Sequence, residues 1–117
     1  MKKIQFGSEL IIPYKNEKGS TVLKYCLLES HVGFGNNKLK SYGIEIVKTD
    51  RTHGMRDICE CKQIEGIFFD IEEAIGFIAG IKKNAICPTQ LSAALEDYIV
   101  DKLKAQREKY KESNTTV

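Results

Sequence analysis

Four cysteines are the residues of this chain that first suggest a chemical site. Cys59 and Cys61 are two positions apart, so on a β-strand both side chains point to the same face, and Cys26 joins them only if the strand register allows it. Structural zinc sites usually draw their ligands from two cysteine knuckles, and Cys87 stands alone before Pro88. We therefore expect free thiols used as small apolar side chains, with no metal and no cofactor.

A second pattern with chemical potential is the Glu-x-Lys pair of Glu60 and Lys62. With Asp50 or Asp57 upstream, it is typical of nucleases in which two acids hold Mg²⁺ and a lysine activates water. In a chain with 29% charged residues the spacing also arises by chance, and alternating charges on the solvent face of a strand account for it more simply. We rank Mg²⁺-dependent cleavage last among the functions.

Nucleophilic catalysis and phosphate binding have weaker signals. His31 and His53 lie in different predicted loops, so an activated Cys–His pair would require them to meet a thiol by tertiary coincidence. Gly33-Phe34-Gly35 is followed by Asn-Asn-Lys-Leu-Lys, which does not begin a helix and offers no cradle of amides for a phosphate. We expect a protein that is not an enzyme.

Gly76 and Gly80 lie one turn apart inside a predicted helix, where each costs roughly 1 kcal/mol relative to alanine. Such glycines usually permit a close approach. The approaching element is either a partner chain or, as we expect, the protein's own sheet or second helix. A membrane-spanning role is excluded, because the apolar run 71–81 is flanked by charges and falls short of the roughly 18 residues that span a bilayer.

The excess of positive charge lies entirely at the carboxyl end. Residues 1–100 carry 13 basic and 13 acidic side chains, whereas residues 101–117 carry five and three. Lys104 and Arg107 are the candidates for nucleic-acid contact in this segment, but acidic residues interleave with them. A solvated helix end is the simpler interpretation.

Hydrophobic patterning predicts the strands that precede this region. An edge strand over 4–14 ends at Pro13, which cannot donate to a ladder. Thr21–Ser30 is rich in β-formers on both faces and should lie centrally. Short connections predict antiparallel pairing. The remaining elements are turns over 15–20 and 49–54, a strand over Tyr42–Ile46, and a strand over Met55–Ile64 released by Gly66.

Two helices follow. The first, over 71–83, is opened by a capping box of Asp70 and Glu73 and closed by Asn84 as a left-handed cap. Pro88 suits the first position of the second helix. The predicted buried stripes are Ile71, Ala74, Ile75, Ile78 and Ile81 in the first helix, and Leu91, Ala94, Leu95, Tyr98, Ile99 and Leu103 in the second.

These elements predict an α+β fold, with an antiparallel β-meander of three or four strands followed by a helical hairpin packed on one face (βββ(β)αα). At 117 residues, one core is expected. Residues 1–103 should form a single α+β domain, and residues 104–117 a solvated helix end and frayed tail.

The chain resembles a family of short bacterial proteins from spore-forming Gram-positive species whose domain has no known function. The resemblance covers roughly residues 21–100 and rests on Tyr25–Ser30, Tyr42–Ile46, Asn84-x-x-x-Pro88-x-x-Leu91 and Glu96–Ile99. It implies a bacterial cytoplasmic protein, carried also by mobile elements, and supplies no activity, cofactor or catalytic residue. The amino-terminal segment and the basic tail are longer here than in that pattern.

The functional hypothesis is a small non-enzymatic cytoplasmic module for protein interaction or regulation. Its partner is an unidentified protein, a second copy of the chain included, and no membrane is involved. The candidate partner-binding residues are Gly76, Gly80, Tyr98, Tyr110, Lys104 and Arg107. The alternative is a nucleic-acid-associated regulator that uses the basic carboxy-terminal helix.

Overall fold

The computed structural model describes residues 1–15, 18–33 and 38–115, except for the side chains of Val32 and residues 110–115. It is an α+β protein, as predicted, with one antiparallel sheet followed by two helices. Residues Phe34–Asn37, which belong to the glycine-containing segment considered for phosphate binding, and the side chain of Tyr110 lie outside this description. The elements are β1 (Lys2–Gln5), β2 (Leu10–Pro13), β3 (Gly19–Val32), β4 (Leu39–Thr52), β5 (Ile58–Phe68), α1 (Ile71–Lys83), a 3₁₀ turn (Pro88–Gln90) and α2 (Leu91–Thr115).

The long pairing of β3 with β4 is the centre of the sheet. It runs without interruption from Gly19 opposite Thr52 to Val32 opposite Leu39. β3 is buried on both faces, as its continuous apolar sequence predicted. Odd-numbered residues of β3 and even-numbered residues of β4 form the core beneath α1. The alternate residues of each strand lie on the opposite face of the sheet, which we call the open face. The core members from these strands are Leu23, Tyr25, Leu27, Tyr42, Ile44 and Ile46.

The amino-terminal segment differs from the prediction of one strand over 4–14. It forms two short strands, β1 and β2, which both pair antiparallel with β3. Gly7 breaks the segment with φ +67, a conformation that costs glycine little. Lys82 of α1 donates from Nζ to the carbonyls of Phe6 (3.3 Å) and Ser8 (2.7 Å) across this break. Pro13 ends β2 at the sheet edge, as predicted.

The predicted turn over 49–54 is wrong, because β4 continues to Thr52. Thr49 and Asp50 still pair with β3, and the chain turns only at Gly54, whose φ is +80. β5 begins at Ile58 rather than at the predicted Met55, and it continues past Ile64 and Gly66 to Phe68. Gly66 takes φ +66 within an irregularity of the β4–β5 pairing. Gly43 of β4 lies at the same irregularity, and a Cβ on Gly43 would collide with the carbonyl oxygen of Ile64.

Helix α1 begins as predicted, with the Asp70 carboxylate accepting from the Glu72 N–H at 3.1 Å. Its buried face is rotated from the predicted stripe, since Ile71 and Ile75 are 42% and 40% exposed. Phe77 is buried instead, because its ring packs on Phe68 of β5 with centroids 5.5 Å apart. The buried set is Ala74, Phe77, Ile78 and Ile81.

The end of α1 also differs from the prediction. Asn84 is not left-handed (φ −94); its side-chain amide donates to the Gly80 carbonyl at 3.1 Å. Ala85 takes the left-handed conformation, with φ 50. The following residue, Ile86, is tied to the sheet because the Tyr25 hydroxyl donates to its carbonyl at 2.8 Å. Burial raises the pKa of Tyr25 to about 12.

Helix α2 leaves the core earlier than the predicted stripe implied. Leu91 is fully buried, and Ala94, Leu95 and Tyr98 are partly buried. Ile99 and Leu103, predicted as buried, are 47% and 59% exposed. Every residue from 99 to 109 is exposed, so this part of α2 does not pack on the core. Among the described helices, none has both the length and the apolar composition that crossing a bilayer requires.

Replacing Ala85 by glycine should raise the free energy of unfolding by up to about 1 kcal/mol, because glycine adopts a left-handed cap without a Cβ penalty. Urea denaturation measures the change. The matched control is Ala79→Gly, at an exposed position inside the same helix, which should lose about 1 kcal/mol. A loss of stability in Ala85→Gly would contradict the strained cap.

Candidate functional site: the groove between α1 and α2

A groove of about 690 Å³ lies between the two helices. Gly76 and Gly80 line it on the α1 side, and Ala93 and Ala94 on the α2 side. The side chain of Phe77 lies at the base of the groove. Small residues on both walls keep the groove open, because no side chain from either helix is long enough at these positions to fill it.

Gly76 and Gly80 do not have the packing role that we expected for them. A Cβ built on either glycine would meet no atom within 4 Å, so neither the sheet nor α2 approaches them. Both are exposed positions inside a helix. The helix therefore carries the cost of two glycines with no compensating contact from the described residues.

Tyr98 closes one end of the groove and joins the helices. Its ring meets Phe77 and Phe68 edge-on, with centroids 5.3 and 5.8 Å away. Its hydroxyl donates to Glu73 Oε1 at 2.8 Å. Tyr98 was predicted as a partner-binding residue; the structure shows it engaged inside the chain, with one side lining the groove.

Glu73 receives a second contact from α2, the Lys102 ammonium at 2.6 Å. The predicted reach of Glu73 back to the cap of its own helix is therefore wrong, because its carboxylate turns to α2 instead. Lys102, and after it the Tyr98 hydroxyl, hold the pKa of Glu73 below its ordinary value. This contact fixes the spacing of the helices at the end of the groove.

The α2 wall of the groove is acidic. Asp97 and Asp101 are one turn apart and exposed, and among the described residues neither takes part in an ion pair. Glu73, on the facing wall, is matched by Lys102. Two unmatched carboxylates therefore give the groove a local negative potential, although the chain as a whole has net charge +2.

The other predicted residues lie elsewhere. Lys104 and Arg107 are exposed on α2 beyond the core and outside the groove lining. The side chain of Tyr110 is outside the described part of the structure. The structure thus brings together Gly76, Gly80 and Tyr98 and leaves the two basic candidates apart from them.

Residues 10–101 match a family of unknown function, DUF6514. The chain belongs to the DUF6514 family. The matched segment begins with β2 and ends at Asp101, so it includes all the residues that line the groove, while Lys104 and Arg107 follow it. Searches among curated proteins and among solved structures found no match.

The cysteines of this DUF6514 protein are not gathered into one site. Cys59 and Cys61 share the open face of β5, and the register places Cys26 on that face too, but on β3 with β4 between them. Strands two apart are separated by about 9.5 Å, too far for thiolates that bind one zinc ion at about 2.3 Å. In the described residues no group of three or more potential metal ligands converges.

The acids of the nuclease hypothesis have other partners. Asp50 accepts hydrogen bonds from the hydroxyls of Thr21 (2.7 Å) and Tyr14 (2.9 Å), which lower its pKa. Asp57 lies 3.6 Å from Arg51. Glu60 is exposed on β5 opposite Lys48. These side chains organise the sheet margin and do not converge on one point.

The segment Glu96–Ile99, which contains Asp97, indicates a helix and does not by itself predict an acidic wall. A signal was present: Ala93, Asp97 and Asp101 repeat every four residues, as do Gly76 and Gly80. Each repeat marks one face of one helix. The two faces oppose each other because Tyr98 of α2 contacts α1. The periodicity of a single helix does not predict a contact between two helices.

Glu73→Gln removes the carboxylate that accepts from Lys102 and should lower the free energy of unfolding at neutral pH. The loss should be only about 1 kcal/mol, because the bond to a half-exposed lysine is screened by solvent. Since the folded-state pKa of Glu73 is depressed, its contribution is complete above the ordinary value of 4.5 and disappears as the pH falls below it. Urea titrations at several pH values should therefore converge for the two proteins in acid. Glu72→Gln, one residue away, should show a much smaller difference; equal behaviour would contradict the role of Glu73.

Gly76→Ala and Gly80→Ala should each raise the free energy of unfolding by about 1 kcal/mol, since alanine favours the helix and its Cβ enters open space. Denaturation of the two variants measures this. A decrease in either variant would reveal a close contact at that glycine.

Proposed function

We propose that this DUF6514 protein is a non-enzymatic interaction module that holds a cationic amphipathic helix of a partner protein in the groove between α1 and α2. The observation that supports it most directly is the open space at Gly76 and Gly80. Two glycines that weaken α1 and leave open space around them among the described residues are explained if another backbone approaches them.

The size and composition of the groove suit a peptide helix. Its volume of about 690 Å³ is within the roughly 300–1,000 Å³ of cavities that hold ligands. Small residues on both walls would allow a helix to pack with its axis close to α1, and Phe77 offers an apolar base. A helix laid in a groove contacts it through residues spaced three and four apart, which the repeats on α1 and α2 match.

Charge selects the class of helix. The unmatched carboxylates of Asp97 and Asp101 favour lysine or arginine on the partner. The same carboxylates disfavour the phosphates of nucleic acid, and Lys104 and Arg107 lie outside the groove. A cationic peptide segment is therefore the occupant that the described residues support.

The proposed setting is the cytoplasm. All four cysteines are free thiols, including the exposed Cys59 and Cys61. Exposed free thiols suit a reducing compartment, because an oxidising one would pair them. A regulatory role follows if occupation of the groove controls the partner's activity.

Selection from a displayed library of helical peptides about 20 residues long tests the proposal. The enriched peptides should carry lysine or arginine on one face and small residues on the face that enters the groove. Their affinity, measured by fluorescence polarisation, should fall at least about tenfold for Gly76→Leu and for Gly80→Leu, which fill the groove. Asp97→Lys should weaken them similarly and reduce the dependence on salt.

The matched control is Ala79→Leu, which adds the same side chain at an exposed position of α1 outside the groove lining. It should bind as the wild type does. Because a Cβ at either glycine meets no atom within 4 Å, the variants should remain folded, and circular dichroism with urea denaturation verifies this. Acidic enriched peptides, or peptides that bind the leucine variants equally well, would overturn the proposal.

A further inference from the structure

The outer edge of β5 is open. β5 pairs with β4 on one side, and no described strand lies on its other side. It has 11 residues, and the first six of them, Ile58–Gln63, are all exposed. Edge strands with free backbone amides and carbonyls readily pair with another strand, and proteins usually protect them.

The opposite edge of the sheet is protected in three ways. It consists of two strands of only four residues each, and Gly7 breaks it between them. Pro13 removes a donor, and Lys82 covers the carbonyls of the break. The sheet thus has one blunted edge and one long, accessible edge.

The sequence of β5 is complementary to itself in an antiparallel arrangement centred on Cys61. In that register Glu60 faces Lys62 of the partner subunit, and Lys62 faces Glu60 of the partner subunit. Ile58 and Ile64 face each other in the same manner, and Cys61 faces its own copy at the two-fold axis. Opposite charges and apolar pairs directly across antiparallel strands are stabilising.

Neighbouring registers are unfavourable. Only shifts of two residues keep each side chain on its own face of the sheet. A shift of two in one direction places Glu60 against Glu60 of the partner subunit, and in the other direction Lys62 against Lys62 of the partner subunit. The charges at positions 60 and 62 therefore favour the register centred on Cys61 over both of these shifts.

The described surroundings of β5 agree with such an edge contact. The side chains of Glu60 and Lys62 have no hydrogen bond or ion pair with other described residues. Ile58 is 62% exposed. A cleft of about 420 Å³ separates Glu60 and Lys62 from the 3₁₀ turn at Pro88, which leaves room for the side chains of a neighbouring strand.

We propose that two copies of the chain pair through β5, antiparallel about Cys61, to form a continuous ten-stranded sheet with both pairs of helices on one face. This surface is separate from the groove and does not depend on the function proposed for it.

Sedimentation equilibrium under reducing conditions tests the dimer, with an expected mass twice 13.2 kDa. Glu60→Lys and Lys62→Glu should each weaken self-association at least about tenfold, because two attractive pairs become repulsive. Mixing the two variants should restore a dimer, since each supplies the charge that the other lacks. A monomeric wild type, or a dimer unaffected by both substitutions, would overturn the proposal.

Oxidative cross-linking tests the register. At the two-fold axis the Cα atoms of the two Cys61 residues would be about 4.5–5.5 Å apart, within the range of disulfides, whereas the two Cys59 residues would be more than about 13 Å apart. Diamide accepts two electrons and two protons from a thiol pair and becomes its hydrazine. Treatment should therefore give a covalent dimer that survives Cys59→Ser and is lost in Cys61→Ser. Cross-linking through Cys59 instead would contradict the register.

Discussion

The pairing of β3 with β4 is the interaction on which the rest of the structure depends. Every other strand attaches to one of these two, β1 and β2 to β3 and β5 to β4. Half of the buried core residues lie on their shared face, among them Tyr25, whose hydroxyl bonds to the turn after α1. Near the end of the ladder that includes Asp50, polar bonds from Tyr14 and Thr21 hold the strands in place of an apolar layer.

The two helices cover only part of this long sheet. Phe68, Phe77 and Tyr98 form an aromatic cluster that ties β5, α1 and α2 together at one point. Beyond Tyr98, α2 has no core to join and extends into solvent. The radius of gyration is accordingly 18.2 Å, compared with about 13 Å for a compact domain of this length. Such a molecule exposes faces that compact proteins bury.

The exposed groove and the open edge of β5 are two consequences of this partial cover. The groove exists because Tyr98 and Glu73 join the helices while small residues on both walls leave space between them. The edge exists because β5 is long and nothing described lies beyond it. In the proposed dimer the two grooves would open on the same face of the sheet, so one assembly would present two binding sites side by side.

The amino-acid sequence by itself determined the α+β order of elements, the central position of β3, the Asp70 cap of α1 and the end of strand β2 at Pro13. These follow from local physics, namely apolar periodicity, side-chain capping and the missing donor of proline. Only the tertiary structure decided which face of α1 is buried, since Phe77 displaces Ile71 and Ile75 by packing on distant Phe68. It also decided that Glu73 bonds to Lys102, that Ala85 rather than Asn84 takes the left-handed turn, and that Gly76 and Gly80 face open space. Each of these depends on contacts between residues far apart in the chain, whose free energies exceed the local preferences that a sequence pattern records.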